Sequence, residues 1–362
     1  MTALWTVRIL TGACFFIPLI LSVLLTPLAI RIAPLIGAID EPKDDRRMHT
    51  KAIPVFGGFA IFLSGTITLL LILLVLFKTL PSEFQLDEPV GNLVGIIIGG
   101  AIIFLVGVYD DIKDMHPLAK LFCQIVSASI AFLFGIRMPA IEMLGLNFED
   151  SSLGGMLFSY MATVIWIVAI TNMINLIDGM DGLAAGVATI SSIAIAYAAY
   201  IHGQYVVALA MVAVGGAASG FIPFNFFPAK IFMGDAGALY LGFTIGTISV
   251  IGPAKGATIV AIIVPVLVLG LPLFDVLFAI FRRLRSGRSI LSADKGHLHH
   301  QLAYMGMGQR RSVLMIYGIS AVMGIAAIVF SREFYLESFA LFCVALLFVV
   351  ILIWDWGTHE KK

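Results

Sequence analysis

Charge is scarce in this chain. Only 12% of its 362 residues are Asp, Glu, Lys or Arg, while 60% are hydrophobic. That balance excludes an ordinary soluble domain, which carries about twice as much charge. Net charge is missing as well, with 22 basic against 22 acidic residues, so bulk electrostatics give no reason to expect nucleic acid as a partner. Cysteine is nearly absent. Cys14, Cys123 and Cys343 each fall in an apolar run without metal-ligand spacing, which argues against a disulfide framework or a thiolate metal site.

What the chain has in abundance is apolar runs of membrane-crossing length. Spans of about 20 residues fit at 9–38, 56–78, 91–109, 118–136, 157–176, 183–200, 205–223, 236–252, 257–281, 312–330 and 337–354. The expected fold is an all-α polytopic bundle of eleven transmembrane helices in a single domain. The first run is too long for a signal peptide's core and lacks a small-residue cleavage pattern, so it reads as a span. It carries Pro18 and Pro27, and the ninth carries Pro265 and Pro272, where a bend or break is expected.

Most basic residues gather in one set of loops and ends. The opposite set holds only Arg8, Lys78, Arg137, Lys255 and Arg332. The positive-inside rule then puts the N terminus outside and the C terminus in the cytoplasm. With that sidedness the polar motifs of segments 39–55, 110–117, 176–182, 224–235 and 282–308 all face the cytoplasm. A transport pathway would be expected to show polar groups near the bilayer midplane too.

Within these segments NMINLIDGMDG sets Asn172, Asn175, Asp178 and Asp181 three residues apart, which places successive members on one helical face. Gly179 and Gly182 let the backbone leave the helix there, so Asn172 to Asp178 can line the last turn of a span and Asp181 the loop beyond. Ionisable groups beside hydrocarbon are costly and mark function by default, though a solvated helix end is the plainer alternative. In VYDDIKD, Asp110 and Asp111 end the third span, where the helix dipole and their mutual repulsion disfavour them. A divalent cation, Lys113 or Lys120 can compensate them. FMGDAG puts Asp235 between glycines at a helix start, fit for a ligand's close approach or for simple N-capping. Asn225 and Phe232 in FNFFPAKIF can hydrogen-bond and stack on a base, or belong to an interfacial aromatic belt. SADKGHLHHQL gathers His297, His299 and His300 after Arg282 and Arg283. Such histidines suit zinc, but the surrounding carboxylates favour a hard cation that keeps oxygen ligands, as magnesium does, and Arg with His suits a diphosphate. The combination points to phosphoryl transfer at a membrane surface.

Taken in order, VYDDIKD, NMINLIDGMDGL, FNFFPAKIFMGDAG and DKGHLHHQL resemble the motifs of the polyprenyl-phosphate N-acetylhexosamine-1-phosphate transferases. The first loop, DEPKDDRRMHTKAIPVFGG, is similar to theirs as well, with Asp40, Pro42, Arg46, His49, Pro54, Gly57 and Gly58 at matching places. The resemblance covers nearly the whole chain. It implies a bacterial inner-membrane enzyme with its active site facing the cytoplasm. UDP-GlcNAc and undecaprenyl phosphate would be its substrates, Mg2+ (or Mn2+ in its place) its cofactor, and a homodimer an open option. It implies catalytic roles for Asp110, Asp111, Asp178, Asp181 and His297, and metal ligation by Asp235 with Asp111. Substrate binding would fall to His49, Lys120, Asn175, Asn225, Phe232, Arg282, Arg283, His299 and His300. The HLHH form is closer to the N-acetylglucosamine branch, which starts teichoic acid, O antigen or similar polymers, than to the MurNAc-pentapeptide branch with its three adjacent histidines. A basic residue of the family's second loop is matched only loosely, by Lys51. Three competing classes fit less well: a transporter; an intramembrane aspartyl protease, whose motif needs glycine where Phe232 stands; and a CDP-alcohol phosphotransferase, which needs arginine where Gly186 stands.

Overall fold

The computed structural model of the protein describes residues 2–41, 52–79, 87–138, 153–251, 265–270 and 308–359. Among the described residues ten long helices run in chain order: α1 Thr2–Ile36, α2 Gly57–Thr79, α3 Asp87–Lys113, α4 Pro117–Leu133, α5 Leu153–Ile177, α6 Leu183–Ile201, α7 Tyr205–Asn225, α8 Gly234–Ile251, α9 Gln309–Ser331 and α10 Tyr335–His359. Each coincides with one of the expected spans. Among the described residues eight helices are long and apolar enough to cross a membrane, while α4 and the apolar part of α10, Tyr335–Ile351, are shorter. The expected span at 257–281 lies largely outside the described residues. α1 runs through Pro18, Pro27 and Pro34 as one helix.

Large apolar side chains face outward along these helices, among them Leu24, Leu105, Phe122, Ile165, Leu314 and Phe339. Such a surface suits lipid and would be unfavourable in water. Several hydroxyls inside the bundle bond one turn back: Thr68 Oγ1 donates to the Ser64 carbonyl at 2.8 Å, Thr171 to Ile167 at 2.7 Å and Thr247 to Phe243 at 2.8 Å. These bonds let polar residues sit in spans without a water partner.

α8 is the hub. It packs on α2, α3, α5 and α7, and every residue from Ala236 to Val250 is buried. Small residues let the neighbours close in on it. A Cβ on Gly58 would lie 2.2 Å from the backbone nitrogen of Gly237, and one on Gly107 would lie 2.4 Å from Cα of Ala236. The N terminus of α8 is thus held at the middle of one end of the bundle.

One element was not expected of an all-α chain. Two short antiparallel strands, β1 Ile39–Asp40 and β2 Ile53–Pro54, bring together the two ends of the first loop. The segment before α8 joins them: Phe232 N–H donates to the Pro54 carbonyl at 2.8 Å, and Gly57 N–H to the Phe232 carbonyl at 2.9 Å. Residues too few for a strand signal in the sequence pair here because the start of α2 and the start of α8 lie side by side.

Candidate active site

At this end of the bundle the C termini of α3 and α5 meet the N termini of α4 and α8. Asp235, in the first turn of α8, is the meeting point. Its Oδ1 accepts a hydrogen bond from Asn175 Nδ2 at 2.6 Å. Its Oδ2 is paired with the Lys120 ammonium, which also pairs with Asp110. Asp110 is buried, and its Oδ1 accepts the Met115 N–H at 2.5 Å. Of the two cations open to compensate the adjacent carboxylates, Lys120 reaches Asp110, and Lys113 is exposed.

Asp111 has a different partner. Its Oδ1 accepts the backbone N–H of Asp235 at 2.7 Å, and its Oδ2 that of Ala236 at 3.1 Å. One carboxylate from the end of α3 therefore caps the start of α8, satisfying two of the free amides that every helix start leaves. Gly234, at φ +73, makes room, since a Cβ there would lie 2.6 Å from Asp111 Oδ2. Asp235 is consequently not the N-cap of its own helix, which leaves its side chain for other work.

The remaining acidic motif forms the neighbouring wall. α5 ends at Ile177, and Asp178 follows directly. Its carboxyl is pushed well above the ordinary carboxylate range, first by burial and then by the charges of Asp235, Asp111 and Asp181. Asp181 accepts the Ala229 N–H at 2.9 Å. Gly182 adopts the left-handed conformation at φ +81 that ends the turn, as its sequence position suggested.

Asn225 is 2% exposed. Its Oδ1 accepts the Gly182 N–H at 3.0 Å and its Nδ2 donates to the Ile231 carbonyl at 3.0 Å. The amide expected to read a base thus braces two loops against each other, with one of its two N–H donors and one of its two acceptor positions engaged. Phe232 is half-buried beside β2. Sequence reasoning missed Tyr317, on α9, whose hydroxyl donates to the Gly182 carbonyl at 2.5 Å. It also missed Gln124, a lone amide within an apolar run. His49, Arg282, Arg283, His297, His299 and His300 lie outside the described residues.

No group of three or more His, Cys, Asp or Glu forms a metal cage among the described residues. Magnesium does not need one, since it takes one or two protein oxygens and fills its shell with water and phosphate. The donors here fit that habit. Asp235 and Asn175 offer hard oxygens, while Asp111, expected as the second ligand, has both oxygens engaged by the backbone of α8; the Lys120 ammonium already stands between Asp235 and Asp110.

Residues 93–253, which carry Asp110, Lys120, Asn175, Asp178 and Asp235, match the glycosyl transferase family 4 profile. A Bacillus subtilis (strain 168) protein named "Probable undecaprenyl-phosphate N-acetylglucosaminyl 1-phosphate transferase" is 37% identical over 349 residues, 96% of this chain and 92% of its own length. A Mycolicibacterium smegmatis decaprenyl-phosphate N-acetylglucosaminephosphotransferase is 34% identical, covering 78% of this chain and 72% of its own. A Thermotoga maritima undecaprenyl-phosphate alpha-N-acetylglucosaminyl 1-phosphate transferase is 28% identical over 92% of this chain and 96% of its own. The chain belongs to glycosyl transferase family 4, in the branch of the undecaprenyl-phosphate N-acetylglucosaminyl 1-phosphate transferases.

Proposed function

We propose that the protein transfers N-acetylglucosamine 1-phosphate from UDP-GlcNAc to undecaprenyl phosphate, giving undecaprenyl-diphosphate-GlcNAc and UMP, as the first membrane step of a cell-surface polymer. The observation that carries this reading is the sharing of one ammonium by Asp110 and Asp235 where four helix ends meet. In the reaction a lipid phosphate oxygen forms a bond to the sugar-bearing phosphorus, and the bond from that phosphorus to the UMP oxygen breaks. Both reactants are anions, so the site must gather positive charge and hold the two phosphates in line.

The chain's own groups divide this work. Lys120 offers its ammonium to phosphate oxygens beside Asp235. Asp110, one contact away, takes the remaining proton of the lipid phosphate and so frees its nucleophile. Asp111 fixes the start of α8. Asp181 and Asn225 hold the loops after α5 and α7 against each other, forming the wall on which the nucleoside rests near Phe232. Asp235 and Asn175 would hold Mg2+, which would supply positive charge to offset the charge developing on the phosphates. The sidedness of the basic residues supports placing this end of the bundle at the cytoplasmic face of the inner membrane.

An aspartyl protease would need Asp110 and Asp235 to share a proton, and here a lysine stands between them. A CDP-alcohol phosphotransferase would need an arginine at Gly186, where even a Cβ would lie 1.9 Å from the Tyr317 ring.

The test is incubation of the purified protein with undecaprenyl phosphate, Mg2+ and a panel of UDP-sugars. UMP release with UDP-GlcNAc is expected, and release is lost in Asp235→Asn while membrane insertion is kept. Turnover of the MurNAc-pentapeptide donor alone would move the protein to the peptidoglycan branch. The absence of UMP with every donor would favour a transporter.

A further inference from the structure

One polar pair inside the bundle has no part in the chemistry above. Gln124 on α4 is 2% exposed. Its Nε2 donates to Asn172 Oδ1 on α5 at 3.2 Å, and Asn172 Nδ2 donates back to Gln124 Oε1 at 2.5 Å and to the Val168 carbonyl at 2.9 Å. The two amides satisfy each other across the seam between helices. Inside a membrane such a pair resists both separation and sliding, because each amide left alone would face hydrocarbon.

The register of this pair is what gives it meaning. Lys120 lies one turn from Gln124 on the same face of α4, and Asn175 lies three residues from Asn172 on the same face of α5. Lys120 and Asn175 are the side chains that grip the two oxygens of Asp235. The clamp therefore joins the two helices about one turn deeper than the point at which both reach the same carboxylate.

We propose that Gln124 and Asn172 are positioning residues. By fixing the spacing and register of α4 against α5, they set where Lys120 and Asn175 stand around Asp235, and so how well that carboxylate takes a divalent cation. The cation part of this proposal rests on the function proposed above; the clamp itself does not.

The experiment uses the full chain in detergent, with the single variants Gln124→Met and Asn172→Leu and the exchanged pair Gln124→Asn with Asn172→Gln. Spin labels at Leu118→Cys and Leu176→Cys, both exposed positions near the ends of α4 and α5, report the helix spacing in a background lacking Cys14, Cys123 and Cys343. Separately, the Mg2+ concentration that half-saturates the rise in thermal midpoint reports on Asp235. Each single variant is expected to broaden the distance distribution and to raise the Mg2+ midpoint about 10- to 100-fold, the usual loss when groups supporting a metal ligand are removed. The exchanged pair, which keeps both amides, is expected to recover both. Single variants with unchanged distance and midpoint would overturn the proposal. So would an exchanged pair that folds and still shows the raised midpoint, a result that counts even if the single variants fail to fold. A wild-type protein without any Mg2+ response would overturn the cation reading of Asp235, and the distances alone would then decide the clamp.

Discussion

Asp110 and Asp111 carry the same side chain, yet successive residues on a helix point about 100° apart. That rotation sends Asp110 to the Lys120 ammonium and Asp111 to the backbone of α8. Asp111→Asn keeps the shape but turns an NH2 group toward a backbone N–H and removes the charge. The expected cost is about 1–3 kcal/mol of stability, read from denaturant or thermal unfolding, together with weaker Mg2+ binding. Asp178 gives a pH prediction. Its folded-state pKa lies above its unfolded value of about 3.9, so folding favours the protonated form. That contribution is fully present below pH about 4 and is lost as pH rises through the folded value. Without a divalent cation, Asp178→Asn should therefore raise the thermal midpoint at neutral pH and flatten its fall with pH. Unchanged midpoints across that range would refute the account. The sequence marked all these carboxylates by their spacing, but it gave no sign of which would bind backbone. The partners of Asp111 lie 124 and 125 positions further on, and nothing local announces them.

At the scale of elements, hydropathy located the helices, and the structure adds how they begin. α4 starts where His116 accepts the Leu118 N–H at 3.3 Å, with Pro117 in the first position, a pattern that favours helix entry. The order of packing around α8 was not legible, because small residues mark close crossings without saying against what. Gly107 shows what depends on them. Gly107→Ala would press a methyl against the backbone of Asp235 and Ala236, which cannot rotate aside as a side chain would. A loss of about 1–3 kcal/mol is expected, with UMP release falling further than stability alone explains, since the push separates Asp111 from the helix it caps. Tyr317→Phe is a milder case. It removes one bond to Gly182, worth about 1 kcal/mol, and should lower the thermal midpoint by a few degrees at most while leaving helix content unchanged by circular dichroism.

For the whole molecule, the sequence foresaw that distant polar segments would gather at one end, and the described parts of four of them do. The fifth leads into α9, which Tyr317 ties to the loop after α5. Sidedness is the matching prediction. In a background without the native cysteines, Asp114→Cys should react with an impermeant thiol reagent added from the cytoplasmic side, and Arg332→Cys only from the outside. Labelling of both from one side would break the proposed topology. The pairing of β1 with β2 was hidden because two-residue strands leave no periodicity to detect.

That small tie fixes where the first excursion leaves the bundle and where it returns, at neighbouring points beside Phe232. Ile39–Asp40 and Ile53–Pro54 thus form a closed doorway whose frame belongs to α2 and α8. Because Phe232 stands three residues before Asp235, that doorway and the start of the helix that carries the central carboxylate are one continuous piece of backbone.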